Sequence, residues 1–136
     1  MFTKLKEKQE KIQKIITKML EESAKGKPII VEGKKDESAL RELGICGKVV
    51  TVKTGGKSFL EAAEEIEMLS PREVILFLDF DRRGEEGTKR LKQNLERVKI
   101  KANTRLWFDL KAIAGREIQC IESLNAYLET LQEKTA

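Results

Sequence analysis

Residues 74–84 have the sequence VILFLDFDRRG, and this stretch decides the fold. Its apolar part, residues 74–78, is typical of a strand that is buried on both faces of a parallel sheet. Two carboxylates follow. Because side chains alternate along a strand, Asp79 and Asp81 lie on one face while Phe80 points away. The stretch therefore predicts an α/β protein with two acids at the carboxyl end of a central strand.

These two acids are candidate metal ligands. Neighbouring carboxylates repel each other and resist removal from water. A hard divalent cation relieves both costs, and Mg²⁺ favours one or two carboxylates together with waters and phosphate oxygens. A purely structural interpretation is equally compatible with the sequence: Asp81 caps the following helix, and Asp79 is a solvated acid at the strand end.

The composition indicates a globular chain with a highly charged surface. Of its 136 residues, 40% are hydrophobic, which is enough for one domain with a core. Charged residues make up 37% and the net charge is +4, so a polyanionic partner is compatible but not required. The chain has no histidine, which excludes Ser-His-Asp and Cys-His catalysis and His-ligated zinc. Any general base must be Asp, Glu, Lys or a metal-bound hydroxide.

The cysteines and the hydropathy predict a cytoplasmic location. Cys46 and Cys120 are isolated in the sequence, without the CxxC spacing of metal or redox sites. This usage predicts reduced, buried side chains of a cytosolic protein. Neither a signal peptide pattern nor an apolar run of membrane-spanning length is found, so we expect no association with a membrane.

The hydrophobic pattern around residues 74–84 predicts alternating helices and strands. An amphipathic helix over residues 2–25 is expected to cover the sheet, with partner or nucleic-acid binding as the alternative. Strands are predicted at residues 29–31, 49–52, 74–79 and 104–108. Asp36 is predicted to cap the helix after the first strand, and later helices are predicted to begin near Glu85 and near Glu117. Together these segments predict a four-stranded parallel sheet with helices on both faces, plus extra N- and C-terminal helices.

A third acid follows the first predicted strand. Glu32 lies at the carboxyl edge, where open α/β sheets bind ligands. If the first and third strands are neighbours, Glu32 converges with Asp79 and Asp81 at one point. The alternative is a solvated loop acid that pairs with Lys34 or Lys35.

A glycine-rich turn, residues 53–58, precedes a helix capped by Ser58 and Glu61. Its end is similar to a Walker A loop, but that motif requires glycine where Thr51 stands, so we reject a nucleotide P-loop. The turn still offers backbone N–H groups and Lys57 to a phosphate. A plain loop with a lysine is the alternative.

Two motifs together give the chain a resemblance to a known family. Val31-Glu32-Gly33-x-x-Asp36 is followed by Asp79-x-Asp81-Arg82-x-Gly84. In this order, on these strands, the motifs resemble the Toprim domain of primases, topoisomerases, some nucleases and ribosomal-RNA maturases. The resemblance covers residues 28–110 and is strongest to small stand-alone archaeal Toprim proteins. It implies one domain over residues 1–136, with an N-terminal helix in 1–27 and C-terminal helices in 111–136.

The resemblance implies roles for the matching residues. Glu32 matches a glutamate regarded as a general acid/base or metal ligand. Asp79 and Asp81 match the aspartates that hold Mg²⁺, for which Mn²⁺ is the alternative ion. Arg82 matches a basic residue common in the primase and topoisomerase versions, and Gly84 matches the turn glycine.

Further residues complete the expected site. Lys34, Lys35 and Lys57 join Arg82 as candidates for positioning phosphates without reading sequence. Gly33 is expected to allow a ligand or loop to approach the backbone. One position departs from the topoisomerase pattern, because Arg83 stands where that pattern has a third acid. The primase or maturase version therefore fits better.

The resemblance implies Mg²⁺-dependent phosphoryl transfer on nucleic acid, by a small nuclease or RNA-processing protein. RNA is favoured over DNA by family analogy alone. Two alternatives stay open. A non-catalytic nucleic-acid-binding or assembly module would share the fold. A phosphatase with an aspartate nucleophile would share the Asp-x-Asp strand end but would not use Glu32.

Overall fold

A computed structural model describes residues 2–53 and 58–136, with Phe2 described by its backbone only. Within these residues the elements are α1 (Phe2–Ala24), β1 (Ile29–Val31), α2 (Lys34–Glu42), β2 (Val49–Thr51), α3 (Phe59–Met68), β3 (Glu73–Leu76), α4 (Arg82–Arg97), β4 (Lys101–Asn103), α5 (Arg105–Ala114), a 3-10 helix (Ile121–Ser123) and α6 (Leu124–Thr135).

The four strands form one parallel sheet in the order β2-β1-β3-β4. β1 and β3 are neighbours, and the register pairs Ile29 with Ile75 and Ile30 with Leu76. The predicted fold class, a four-stranded parallel sheet with helices on both faces, is confirmed. Because β1 and β3 run side by side in the same direction, the segments that follow them meet at one edge of the sheet.

Each face of the sheet is covered by its own helices. Ile29 and Val31 pack in one apolar cluster with residues of α1, α2, α5 and α6. Ile30, Leu76 and Leu78 pack in a second cluster with residues of α3 and α4. This division follows from the alternation of side chains along a strand, which sends successive residues to opposite faces.

Helix α1 covers the sheet, as its apolar spacing predicts. Ile12, Ile15, Ile16 and Met19 are buried in the cluster that contains Ile29. The helix packs against α5 and α6. Of the helices in the described part of the chain, none combines the length and the apolar character that crossing a membrane requires.

The predicted fourth strand was misplaced. Residues 105–108 belong to α5, and the strand is instead Lys101–Asn103. Strand β4 is an edge strand with one partner, β3, and only Ala102 in it is buried. An edge strand needs no continuous apolar run. Leu106, Leu110 and Ala114 instead occupy one buried face of a helix.

Other boundaries also differ from those predicted. Strand β3 ends at Leu76, and beyond it the Phe77 N–H still donates to the carbonyl oxygen of Ile30 in β1 at 2.7 Å, but Asp79 belongs to no strand. Helix α4 begins at Arg82 rather than Glu85. The last helix begins at Leu124, after the 3-10 helix, and not near Glu117. The cysteines differ as well, because both are free but Cys46 is exposed and Cys120 only half-buried.

Candidate metal centre

Asp79 is held in place by hydrogen bonds to the backbone on either side of it. The Trp107 indole Nε1 donates to the carbonyl oxygen of Leu78 at 2.8 Å. The backbone N–H of Phe80 donates to the carbonyl oxygen of Gln119 at 2.6 Å. Helix α5 and the segment before the 3-10 helix therefore fix the loop between β3 and α4, even though this loop belongs to no strand.

The turn after Asp79 brings α4 close to the backbone of Asp79. A Cβ atom added at Gly84 would lie 2.0 Å from the carbonyl oxygen of Asp79. Asp81 is the N-cap of α4, and its Oδ1 accepts a hydrogen bond from the Gly84 N–H at 2.7 Å. The capping role considered for Asp81 is therefore present. Asp81 is exposed, so its second oxygen remains open to a further ligand.

Glu32 is a buried acid at the end of β1. The residue is 3% exposed, and Lys53 Nζ lies 2.9 Å from its Oε2. This contact is an ion pair by distance, and among the described residues neither oxygen of Glu32 has a well-aligned hydrogen-bond partner. The predicted alternative was a pair with Lys34 or Lys35. The ion pair in the described residues is instead with Lys53, which follows β2.

Asp36 lies beside these acids, in the first turn of α2. Its Oδ2 accepts from the Gly33 N–H at 3.2 Å, and its Oδ1 accepts from the Glu122 N–H at 3.0 Å. Asp36 was predicted to cap the helix, but the N-cap is Gly33 and Asp36 lies one turn later. Burial raises the pKa of Asp36, although its two backbone hydrogen bonds act in the opposite direction.

Asp79 belongs to a cluster of potential ligands. Among residues 2–53 and 58–136, one oxygen of Asp36, one oxygen of Asp79 and the Cys120 sulfur lie within 4.8 Å of one another. Burial, followed by the negative charges of Glu32 and Asp36, raises the pKa of Asp79 from 3.8 to about 7. The structure thus places Glu32 next to Asp79. Neither Glu32 nor Asp81 belongs to the group of three.

Of the predicted phosphate-positioning residues, three lie in the first turns of the helices that follow Glu32 and Asp79, and none of the three belongs to the cluster. Lys34 and Lys35 are exposed in the first turn of α2. The Arg82 side chain is 94% exposed and lies 3.5 Å from a carboxylate oxygen of Glu86. Lys57 lies outside the residues that the structure describes. The positions of Lys34, Lys35 and Arg82 suit contact with a large ligand at the sheet edge.

Two residues of the cluster were missed as ligands in the sequence. Asp36 belongs to the first motif, four residues after Glu32, but its position suggested only a helix cap. Cys120 is near in space because Phe80 binds the carbonyl oxygen of Gln119, the residue before it. No spacing rule connects Cys120 with Asp79, which lies 41 residues earlier (120 − 79).

The donor atoms fit a divalent cation. Carboxylate oxygens are the ligands that Mg²⁺ prefers, and a nearby thiolate is accepted more readily by softer ions. The Glu32 oxygens are buried and lack aligned partners in the described residues, and a buried carboxylate in that state is costly. A cation here would neutralise the charges that raise the pKa of Asp79. Asp79, Asp36 and Glu32 are therefore suited to hold one, with Asp81 at the rim.

The two predicted turn glycines should respond differently to substitution. We expect Gly84→Ala to lower the free energy of unfolding by about 3 kcal/mol, because its Cβ would collide with the Asp79 backbone. Gly33→Ala should change it by less than about 1 kcal/mol. Gly33 has extended backbone angles, and no atom lies within 4 Å of an added Cβ. Urea denaturation of both variants measures this, and equal losses would contradict the steric argument.

Comparison with known proteins places these features in a family context. The Toprim domain family model matches residues 26–104. A UPF0292 protein of Methanosarcina acetivorans is 34% identical over 126 residues, covering 93% of this chain and 85% of the relative. One of Methanocaldococcus jannaschii is 36% identical, covering 88% and 91%. The solved structure of a putative protein from Aquifex aeolicus has a TM-score of 0.65 at 28% identity, covering 82% of this chain and 95% of that one.

Proposed function

Because this chain belongs to the Toprim domain family, we propose that it is a Mg²⁺-dependent phosphoryl-transfer protein that cleaves nucleic acid. Toprim domains generally bind a divalent metal and engage nucleic acid. The observation that carries the proposal is the crowding of Glu32, Asp36 and Asp79, which raises the pKa of Asp79 to about 7. Acids are crowded in this way, at a cost to stability, where a cation or a reaction uses them.

Each acid has a proposed role at the sheet edge. Asp79 is the principal ligand, with Asp36 beside it and Asp81 as the further ligand that the family pattern implies. Glu32 either completes the ligand set or accepts and returns a proton. A bound Mg²⁺ supplies charge neutralisation at a phosphate and lowers the pKa of a water molecule. The exposed cations of Lys34, Lys35 and Arg82 orient the phosphate backbone, without selecting a base sequence.

No histidine is present to serve as a base, so proton transfer depends on Glu32 or on water activated at the cluster.

The substrate class follows from the surface around the acids. The flanking lysines and arginine provide the positive charge that a polyanion needs. Structured RNA is the first substrate to test, since the family includes RNA-processing members, and DNA is the second.

A cleavage assay tests the proposal. We expect end-labelled structured RNA or single-stranded DNA to be cut by the protein in Mg²⁺ or Mn²⁺, and not in EDTA. Asp79→Ala, purified by the same protocol, controls for contaminating nucleases. Equal product from the protein and the Asp79→Ala variant would overturn the proposal, as would the absence of product from every substrate with either metal.

One observation favours a second candidate, a non-catalytic nucleic-acid-binding or assembly module. Lys53 Nζ lies 2.9 Å from Glu32 Oε2, so a side chain already supplies a positive charge at the site. The Lys53 side chain is 44% exposed and its long stem can move aside, so the pair does not close the site. This candidate would be favoured if nucleic-acid binding is salt-sensitive, is the same with and without Mg²⁺, is unchanged in Asp81→Asn, and is accompanied by no cleavage.

A further inference from the structure

A pocket lies between α3 and α4, beside the acidic cluster. Its volume is about 400 Å³, within the range of pockets that hold small ligands. The residues that line it and carry the argument are Lys53, Phe59, Arg83, Arg90, Gln93 and Asn94. None of the described lining residues is acidic. We call it the basic pocket.

The two arginines of the basic pocket are free to bind an anion. Arg83 and Arg90 are seven residues apart on α4, which places them two turns apart on one face. Both are exposed, and within the described residues neither lies within 4.0 Å of a carboxylate. Other arginines do form such pairs: Arg105 lies 3.3 Å from Asp109. Guanidinium groups around one concavity repel each other, and an anion relieves this cost.

The other lining groups suit the remaining parts of a nucleotide. Gln93 and Asn94 carry amides, which can both donate and accept hydrogen bonds to a base or sugar. The half-buried Phe59 ring supplies an apolar wall. This ring packs on the backbone of α4, because a Cβ at Gly87 would lie 2.5 Å from Phe59 Cζ. The ring is therefore held in place at the pocket wall, where it can contact a base.

The basic pocket is continuous with the acidic cluster. Lys53 lines the pocket and contacts Glu32, with Nζ 2.9 Å from Oε2. On the other side, Arg83 follows Asp81 by two residues, in the first turn of α4. Lys53 and the first turn of α4 therefore connect the basic pocket with the acidic cluster.

We propose that the basic pocket binds one unpaired nucleotide of a nucleic-acid strand, with its phosphates on Arg83 and Arg90. This inference rests on the proposed function, since it supplies the strand whose phosphate lies at Asp79. A base enters a pocket of this kind only when it is not paired, so single-stranded segments are preferred over duplex. Arg83, at the position of the topoisomerase third acid, thus becomes a substrate-binding residue.

Binding measured without metal tests the pocket separately from cleavage. We would titrate the full chain into a fluorescein-labelled single-stranded 12-mer, RNA or DNA, in EDTA and follow anisotropy. The double variant Arg83→Ala/Arg90→Ala should bind at least 10-fold more weakly. The slope of log affinity against log salt should fall by about 1.4, at about 0.7 for each lost phosphate contact.

The matched control is Arg72→Ala/Arg97→Ala, which removes the same charge at exposed positions outside the basic pocket. It should bind within twofold of the unmodified chain, and thermal unfolding should show both double variants folded. Equal losses in the two double variants would mean general electrostatic attraction, and no loss in the pocket variant would mean that the pocket is not used. Either outcome overturns the inference.

Further arms identify the ligand and separate the two proposals. Duplex of the same sequence should compete less well than the single strand. If ATP or inorganic phosphate binds more tightly than the 12-mer, the basic pocket serves a free anion and the inference is wrong. If the chain binds through Arg83 and Arg90 but never cleaves, the inference about the basic pocket is supported and the proposed nuclease activity is overturned. If the chain cleaves and the Arg83→Ala/Arg90→Ala variant has an unchanged KM, the proposed nuclease activity is supported and the inference about the basic pocket is overturned.

Discussion

Replacing Asp79 with asparagine is expected to weaken Mn²⁺ or Mg²⁺ binding by at least about 100-fold and to reduce cleavage to the EDTA background. Asparagine keeps the size of the side chain but removes its charge. Asp79 is within 4.8 Å of ligand atoms of Asp36 and Cys120, and its pKa responds most strongly to burial and to Glu32. Losing a direct ligand should cost at least as much as losing a group that only supports one.

Calorimetric titration of Mn²⁺ into metal-free protein at pH 8 measures this effect. Asp109→Asn is a suitable control, because Asp109 is a partly exposed acid of α5 that pairs with Arg105. Asp81→Asn should lie between the two, since asparagine preserves the cap of α4 while the rim ligand is lost. If the affinity of Asp79→Asn for Mn²⁺ is within threefold of that of the unmodified chain, Asp79 is not a ligand of the metal centre.

The central part of the fold was predictable because its physical signals are strong. A run such as residues 74–78 is stable only where both faces are buried, which indicates an interior parallel strand. The carboxyl ends of neighbouring parallel strands share an edge, so Glu32 and Asp79 were expected to meet if β1 and β3 were adjacent. The sheet order β2-β1-β3-β4 meets that condition.

The edge of the sheet could not be predicted in the same way. Strand β4 has the sequence Lys101-Ala102-Asn103, and its pairing with β3 depends on backbone hydrogen bonds rather than on an apolar pattern. The strongest nearby apolar signal, Leu106-Trp107-Phe108, was assigned to a strand but belongs to α5. A run of three apolar residues is compatible with both structures. The tertiary contact of Trp107 with Leu78 supports the helix.

The composition of the acidic site was only half predictable. Glu32, Asp79 and Asp81 follow strands, so their location can be inferred from local patterns. The segment around Cys120 is tied to the site by long-range hydrogen bonds, from Phe80 to Gln119 and from Glu122 to Asp36, and such bonds leave no periodic trace in a sequence. The ion pair of Lys53 with Glu32 likewise depends on the position of the segment after β2 relative to the end of β1.

The crowded acids also make the stability of the metal-free protein depend on pH. The pKa of Asp79 is raised from 3.8 to about 7 in the folded protein, so folding favours its protonated form. The resulting stabilisation is complete below pH 3.8 and is lost as the pH rises through about 7. Glu22 acts in the opposite direction, since Lys27 and Lys18 lower its pKa to about 2, and its contribution is lost only in stronger acid.

Asp79→Asn should therefore be more stable than the unmodified chain at pH 8, by on the order of 2 kcal/mol after allowing for solvent screening of a half-buried group, and equally stable at pH 4. Urea denaturation in EDTA at the two pH values measures the difference, with Asp109→Asn as the control that should show no such change. Adding Mg²⁺ at pH 8 should raise the free energy of unfolding of the unmodified chain but not that of Asp79→Asn, because only the unmodified chain keeps the charge that a cation neutralises. If the difference between the two proteins is the same at pH 4 and pH 8, the folded protein does not raise the pKa of Asp79. The crowding that supports a metal centre would then lose its physical basis.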